Sequence, residues 1–270
     1  MPAASLIVST YNQPVWLEKV LWSLEEQSCT DFEVVIADDG SGEATDRMLE
    51  AFRRSTRLAI QRVWHPDEGF RKTEILNRAI LAAQSDYLIF TDGDCLLRAD
   101  FVATHLRLSR PRTFLSGGYY KLTRPVSERI GRADIREQRC FRGDWLHAQG
   151  QPRSLKDLKL TPVPALAHWL NRLTPTRPSW NGHNASTWKK HILDANGFDV
   201  RMKYGGEDRE FGERLRHAGI AARQIRYSAI CLHLDHDRGY VRPEMIEHNR
   251  EIWEDTRRTG ARRTAHGIAT

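Results

Sequence analysis

Residues 34–37, Val-Val-Ile-Ala, form an unbroken apolar run that stops at Asp38-Asp39-Gly40-Ser41-Gly42. An apolar run without alternation reads as a strand covered on both faces. Such a strand needs helices above and below it, and the neighbouring sequence supplies them. Leu6–Ser9 reads as a strand, and Pro14 opens a helix with Leu17, Val20, Leu21 and Leu24 at i, i+3, i+4, i+7 spacing. A helix over about 43–54 and a weaker strand at Leu58–Val63 follow. A helix over 71–83, with Ile75, Leu76, Ala79, Ile80 and Ala83 on one face, leads to a strand at Tyr87–Phe90. The expected fold class is α/β, with a mostly parallel sheet, right-handed crossovers and helices on both faces. Ligands bind such sheets at the carboxyl ends of the strands, where the acidic segments 38–39 and 92–94 fall.

The pattern changes after about residue 110. Phe114–Leu122 reads as one strand with Gly117-Gly118 inside it. Residues 123–180 are rich in Arg, Pro and Trp, with weaker periodicity, and are expected as helices and loops that shape an acceptor pocket. Asn196-Gly197 is a turn signal, and Gly205-Gly206 precedes a helix with Phe211, Leu215 and Ala218 on one face. Arg223–Leu232 reads as a late strand, and residues 242–258 as a final helix opened by Pro243.

The net charge of +6 favours anionic partners: nucleotide phosphates, nucleic acid or an acidic membrane surface. The densest basic cluster, Arg257, Arg258, Arg262 and Arg263, reads as a solvated, frayed terminus, with contact to anionic lipid as the sharper alternative. Cys29, Cys95, Cys140 and Cys231 show no C-x-x-C spacing, which fits a reducing cytosol. With no signal-type stretch and no run of the length a spanning helix requires, the chain is expected to be cytoplasmic, either soluble or peripheral on the inner face of the membrane.

Asp92 and Asp94 stand two apart, directly after the fourth apolar strand. Two such carboxylates repel unless a cation lies beside them, and Mn²⁺ or Mg²⁺ bridging a diphosphate would supply it. Gly93 leaves the backbone free to approach a ligand closely. An acidic turn is the bland alternative, but the second Asp-rich strand end at 38–39 favours the metal reading. Arg71 and Lys72 fall at a helix N-terminus, an end that already attracts phosphate. Trp180, Asn181, His183 and Asn184 offer an aromatic face and amides for acceptor or donor sugar, although a tryptophan is more often a core residue.

Taken jointly, S-T-Y-N at 9–12, D-F-E-V-V-I-A-D-D-G-S at 31–41, D-E-G-F-R at 67–71, N-R-A at 77–79 and T-D-G-D at 91–94 resemble the family 2 glycosyltransferases, which have the GT-A fold. N-G-F-D-V-R-M-K-Y-G-G-E-D at 196–208 resembles the acceptor-side motif of galactosyltransferases and bacterial chondroitin-polymerase-type domains. The resemblance covers roughly 4–110 and 180–240, and segment 111–179 matches no named pattern. It implies a nucleotide-sugar-binding half at 1–110 and an acceptor-binding, catalytic-base half at 111–270. The implied reaction is inverting transfer from a UDP-sugar to a hydroxyl of a glycan or glycolipid, with no nucleic-acid partner. Thr10, Tyr11, Asn12 and Asp39 would then line the uridine site, with Arg71 and Gly93 close to the nucleotide. Asp92 would touch ribose or metal, and Asp94 would ligate the metal. Asp208 would be the base, Glu207 would hold hydroxyls, and Gly206 would border the sugar.

The same resemblance puts a metal-ligand histidine in Cys231-Leu232-His233-Leu234-Asp235-His236-Asp237, best at His236, with His233 as a second position. A straight strand sends residues i and i+3 to opposite faces, so both histidines can reach one metal only if the chain turns after His233. Two other classes compete. A sugar-phosphate nucleotidyltransferase would share the sheet and acidic site, but usually carries a Gly-rich, Lys/Arg-containing loop where Ser9-Thr10-Tyr11-Asn12 stands. A non-catalytic carbohydrate- or nucleic-acid-binding module would not require Asp94, Asp208 and His236 to converge.

Overall fold

The computed structural model describes residues 1–237 and 242–269. The first part alternates β1 (Ala4–Thr10), α1 (Pro14–Glu25), β2 (Phe32–Asp38), α2 (Glu43–Ser55), β3 (Ile60–Trp64), α3 (Lys72–Ala82) and β4 (Tyr87–Asp92). Next come β5 (Cys95–Leu97), α4 (Phe101–Leu108), β6 (Thr113–Ser116) and β7 (Gly118–Lys121). Short helices fill the middle: α5 (Arg124–Arg129), α6 (Arg132–Arg136), α7 (Gly143–Ala148) and α8 (Pro164–Leu173), with 3-10 turns at Arg139–Phe141 and Leu155–Leu160. The chain closes with β8 (Ala185–Trp188), α9 (Lys189–Asp194), α10 (Glu207–His217), β9 (Ala221–Gln224), β10 (Ile230–His233) and α11 (Pro243–Thr259).

A seven-stranded sheet runs β3-β2-β1-β4-β8-β6-β9. It is mostly parallel; the antiparallel pairs both involve β8, against β4 and β6. Every residue of β1 and β2 is buried, as the continuous apolar runs require. Leu6, Val8, Val34 and Ile36 face the core under α1, while Ile7, Val35 and Ala37 face Ile75, Leu76 and Ile80 of α3. Among the described residues no helix is long and apolar enough to cross a membrane.

Two expected strands are each broken in two. Phe114–Leu122 divides at Gly117: β6 stays in the main sheet while β7 joins a second sheet of order β5-β10-β7. Arg223–Leu232 divides likewise, with a turn in which Ser228 and Ala229 N–H donate to Ile225 O (2.8 and 3.0 Å) between β9 and β10. Asn184 is the joint for both breaks. A Cβ at Gly117 would lie 2.0 Å from Asn184 Oδ1, so glycine makes room for that side chain. Asn184 Nδ2 donates to Gly118 O (2.9 Å) and Ala229 O (3.0 Å), and Oδ1 meets buried His105 Nε2 at 3.1 Å. Asn184 is fully buried and serves the fold, which corrects its reading as a sugar contact.

Trp180 is corrected in the same way. It is 1% exposed, with its ring edge-on to Phe90 (5.2 Å) and Phe211 (4.9 Å), so it fills the core beneath the sheet. The end of the chain is not frayed either. Val200 N–H donates to His266 O (2.8 Å), Ile268 N–H to Asn196 O (3.0 Å) and Asn196 Nδ2 to Thr264 O (2.9 Å), so the tail is sewn to the Asn196-Gly197 turn. Both turn residues are left-handed, with φ 63° and 71°.

Candidate active site at the carboxyl end of the sheet

β1, β2 and β4 run parallel and all end on one edge, at Thr10, Asp38 and Asp92. A cleft of about 480 Å³ opens there. Of the residues singled out from sequence, Thr10, Tyr11, Asn12, Asp39, Asp92, Gly93, Asp94 and His236 line it.

At one end lies Asp39. Its Oδ1 meets His65 Nε2 at 2.7 Å, its Oδ2 accepts from Arg71 N–H at 3.0 Å, and its own N–H donates to Thr10 O. Burial pushes the Asp39 carboxyl up, against the lowering effect of His65 and the Arg71 amide. Tyr11 forms the exposed rim, with Oη donating to Asp67 Oδ2 (2.8 Å). Asn12 braces the ends of two strands: it takes φ 47°, donates its N–H to Ser41 Oγ and accepts from Gly42 N–H. Thr10 Oγ1 is buried and has no hydrogen-bond partner among the described residues. A Cβ on Gly93 would lie 3.0 Å from that oxygen, so this residue is glycine because two strand ends nearly touch.

The basic residue facing the cleft differs from the one expected. The Arg71 guanidinium turns to Glu68, to Glu74 (3.6 Å) and to His65 Nδ1 (3.3 Å). Lys72, one residue on and opening α3, lines the cleft and donates to Asp92 Oδ1 (2.8 Å), as does Ser9 Oγ (2.6 Å). Burial opposes both charges, but Lys72 outweighs it and holds the Asp92 carboxyl well below the usual range. Asp92, then Asp208 and Glu207, hold the Lys72 ammonium well above its usual range, again against burial. Lys72 is thus the counter-ion of three carboxylates.

Asp208 and Glu207 open α10 behind Gly206, whose φ of 100° sets the turn. Gly206 contributes conformation here, with its φ rather than a side chain at work. Asp208 Oδ2 accepts from Gly182 N–H (2.7 Å), and Glu207 Oε2 accepts from Gly205 N–H (2.8 Å), so the two acids diverge. Burial raises the Asp208 carboxyl, with Asp92 adding to it and Lys72 opposing. Burial, then the Asp208 charge, pushes Glu207 up to about 7. Asn181 braces the same loop by donating Nδ2 to Ser116 Oγ and Gly117 O, while its Oδ1 is buried with no hydrogen-bond partner among the described residues.

Asp94, His233 and His236 form a group whose ligand atoms all lie within 4.8 Å of one another. β10 ends at His233 and the chain turns, with Leu234 N–H donating to Asp94 O (2.9 Å), which brings both imidazoles to one side. Asp94 Oδ2 is 2.7 Å from His236 Nε2 and 3.7 Å from His233 Nε2, and the rings stack 7° from parallel. Each Nδ1 meets a backbone carbonyl, of Leu234 (2.8 Å) and Asp237 (2.9 Å). Those contacts fix the tautomer that turns Nε2 towards Asp94 as an acceptor, which is the form a metal ligand needs. Carboxylate and imidazole acceptors facing one another call for a proton or a cation between them. A carboxylate with two imidazoles is a donor set that Mn²⁺ accepts, so the residues present fit the ion.

His183 lies among Asp92, Lys72, His233 and Asp94, and burial pushes its imidazole down to about 4, so it is neutral at physiological pH. Tyr119 packs against both His183 (4.9 Å) and His233 (5.3 Å). Nothing in the sequence pattern singled out Tyr119; only the pairing of β7 beside β10 brings it here.

Residues 5–113 match the family model described as glycosyl transferase family 2. The chain is 28% identical to the uncharacterized glycosyltransferase YfnE of Bacillus subtilis, over 86% of this chain and 65% of that one. It is 25% identical to the chondroitin synthase of Escherichia coli, over 82% of this chain and 33% of that one. The chain therefore spans between a third and two thirds of the length of these relatives. The fold matches that of Staphylococcus aureus TarS residues 1–349 in complex with UDP-GlcNAc, with TM-score 0.60, 17% identity, and coverage of 92% of this chain and 65% of that one. It also matches a mannosyltransferase from Pyrobaculum calidifontis in complex with GDP-Man and Mn²⁺, with TM-score 0.58, 20% identity, and coverage of 88% and 59%.

Proposed function

We propose that this chain, whose residues 5–113 match the family 2 glycosyltransferase model, moves a sugar from a UDP-sugar to an acceptor hydroxyl with inversion. The observation that carries this is the convergence of Asp92, Lys72 and Asp208 beside Asp94, His233 and His236, at the edge where parallel strands end. A non-catalytic binding module would need no such meeting of charges.

On this reading residues 1–110 hold the nucleotide and 111–270 supply the acceptor surface and base. Asp39 and Thr10, which both line the cleft, face the uridine. Asp208 takes the proton of the acceptor hydroxyl as that oxygen bonds to the anomeric carbon and the bond to the diphosphate oxygen breaks. Its raised pKa makes it a stronger base than an ordinary carboxylate, closer to what a hydroxyl needs. The Gly182 amide aims one of its oxygens and Lys72 keeps its charge tolerable. Glu207 and neutral His183 hold hydroxyls of donor or acceptor. A divalent cation held by Asp94, His236 and His233 would neutralise the departing diphosphate when bound. Arg71 acts indirectly, by holding Asp39 through its amide.

The donor is assigned to the galactose, N-acetylgalactosamine or glucose class, and the acceptor to a bacterial surface glycan or glycolipid, handled on the cytoplasmic side. The test is release of UDP from each UDP-sugar, with GDP-mannose as comparison, with and without Mn²⁺ and without acceptor. Mn²⁺-stimulated hydrolysis of one UDP-sugar is the expected result. Hydrolysis of GDP-mannose alone would overturn the donor, and no hydrolysis together with metal-independent UDP binding would overturn the enzyme.

A further inference from the structure

α8 presents its apolar face outward. Leu166, Trp169, Leu170 and Leu173 fall at i, i+3, i+4, i+7 and make one stripe. Yet the only buried residue of the helix is Ala167, while Leu166, Trp169 and Leu173 are 42%, 58% and 72% exposed. The side turned to the protein carries only the small Ala167 and the polar Asn171 besides part of Leu170. Asn171 donates to Ser228 Oγ (2.8 Å) and accepts from Tyr227 N–H (3.0 Å). Leu155, Leu158 and Val163, all half or more exposed or nearly so, precede the stripe. Elsewhere among the described residues no other helix carries three large apolar side chains exposed at this spacing.

The charge around this stripe has one sign. Arg153, Lys156, Lys159, Arg172 and Arg177 lie within residues 152–178, against one acid, Asp157, which already meets Tyr120 Oη and Ser154 N–H. Behind α8 a cleft of about 420 Å³ is lined by Arg98, Arg107, Arg172 and Arg223 against one acid, Asp100, which pairs with Arg98. Burial first, and then the charges of Arg110 and Arg107, hold the Arg223 guanidinium below its usual range. A second copy would bring the same charge to the contact and be repelled. An occupant that is both apolar and negative is required, and it must accommodate an open helix face rather than a closed pocket.

We propose that the face carried by residues 155–173 docks on an anionic phospholipid bilayer, with the leucines and Trp169 in the acyl boundary and the basic side chains at the headgroups. The surface runs on towards the cleft. Lys159 Nζ donates to Tyr119 O (2.8 Å) and sits over its ring, and Tyr119 contacts His183 and His233. Delivery of a lipid-linked acceptor along this path rests on the transfer reading above; the bilayer contact does not.

The test is co-sedimentation of the full chain with vesicles of mixed phosphatidylglycerol and phosphatidylcholine, and with phosphatidylcholine alone. Two variants are compared, Trp169→Glu with Leu173→Glu, and Lys156→Glu with Arg172→Glu; all four positions are exposed, and a thermal melt confirms folding. The expected result is binding to the anionic vesicles that weakens with salt and falls about tenfold or more in either variant. Equal binding to neutral vesicles, no binding to anionic ones, or undiminished binding in both variants would overturn the proposal. So would a dimer by light scattering that the Trp169→Glu, Leu173→Glu variant dissociates. No donor is present, so failure here leaves the transfer reaction untouched.

Discussion

His236 Nε2 lies 2.7 Å from Asp94 Oδ2, although the two residues come from opposite halves of the chain. β5 and β10 pair antiparallel with His233 opposite Cys95, which fixes the two segments side by side before any ligand arrives. Replacing Asp94 or His236 with Ala is therefore expected to leave the fold intact and to weaken Mn²⁺-dependent UDP binding about tenfold or more. Calorimetric titration of UDP with and without Mn²⁺ checks this; an unchanged metal dependence in both variants would remove these residues from the site.

Asp208→Asn keeps an oxygen for the Gly182 amide but loses the base. Transfer should fall on the order of 10²–10⁴-fold, with UDP affinity nearly unchanged. Equal turnover in the variant would take Asp208 out of the mechanism.

Lys72 compensates Asp92, Asp208 and Glu207 together. Lys72→Met leaves partly buried like charges facing one another and should cost roughly 1–3 kcal/mol of stability. Adding Asp92→Asn should restore part of that loss. Chemical denaturation of the single and double variants decides it, and purely additive losses would mean the charges do not couple.

The pH dependence of Glu207 has a definite sign. Its native carboxyl, pushed up to about 7 from an ordinary 4.5, holds its proton more tightly than the unfolded chain does. Its contribution therefore favours the native state in acid and is lost as pH rises from about 4.5 to about 7. Glu207→Gln should melt a few degrees above the parent at about pH 8, with the gap closing near pH 5. A gap that widens in acid would contradict the assigned environment.

Trp180→Ala removes a ring packed on Phe90, Phe114 and Phe211 and should cost about 3–5 kcal/mol. Trp180→Phe should keep most of the stability and leave KM for donor and acceptor alone. A raised KM with unchanged stability would return Trp180 to the sugar site.

The first sheet strands were readable because their physics is local: β1 and β2 are apolar throughout, and the spacing in α1 and α3 shows one buried face each. The breaks at Gly117 and after Gln224 were not, because their cause is the distant Asn184 side chain. The choice between Arg71 and Lys72 turns on which side of the first turn of α3 each side chain leaves, and composition says nothing about that. Asp94, His233 and His236 were linked only through family resemblance, since strand spacing alone leaves open whether the chain bends after His233. Trp180 looks the same in sequence whether it stacks on a sugar or on Phe211.

Asn184 also closes a ring in the chain. Its carbonyl accepts from Gly117 N–H at 2.8 Å and its amide donates to Gly118 O, so residues 119–183 leave and return through a single clasp. A stretch with its ends pinned together can change length at little entropic cost, since closure depends only logarithmically on loop size. Changes of length are therefore expected to be tolerated best in its irregular stretches, such as 152–154 and 174–178, and worst at 180–183, where Trp180 fills the core and Gly182 holds Asp208.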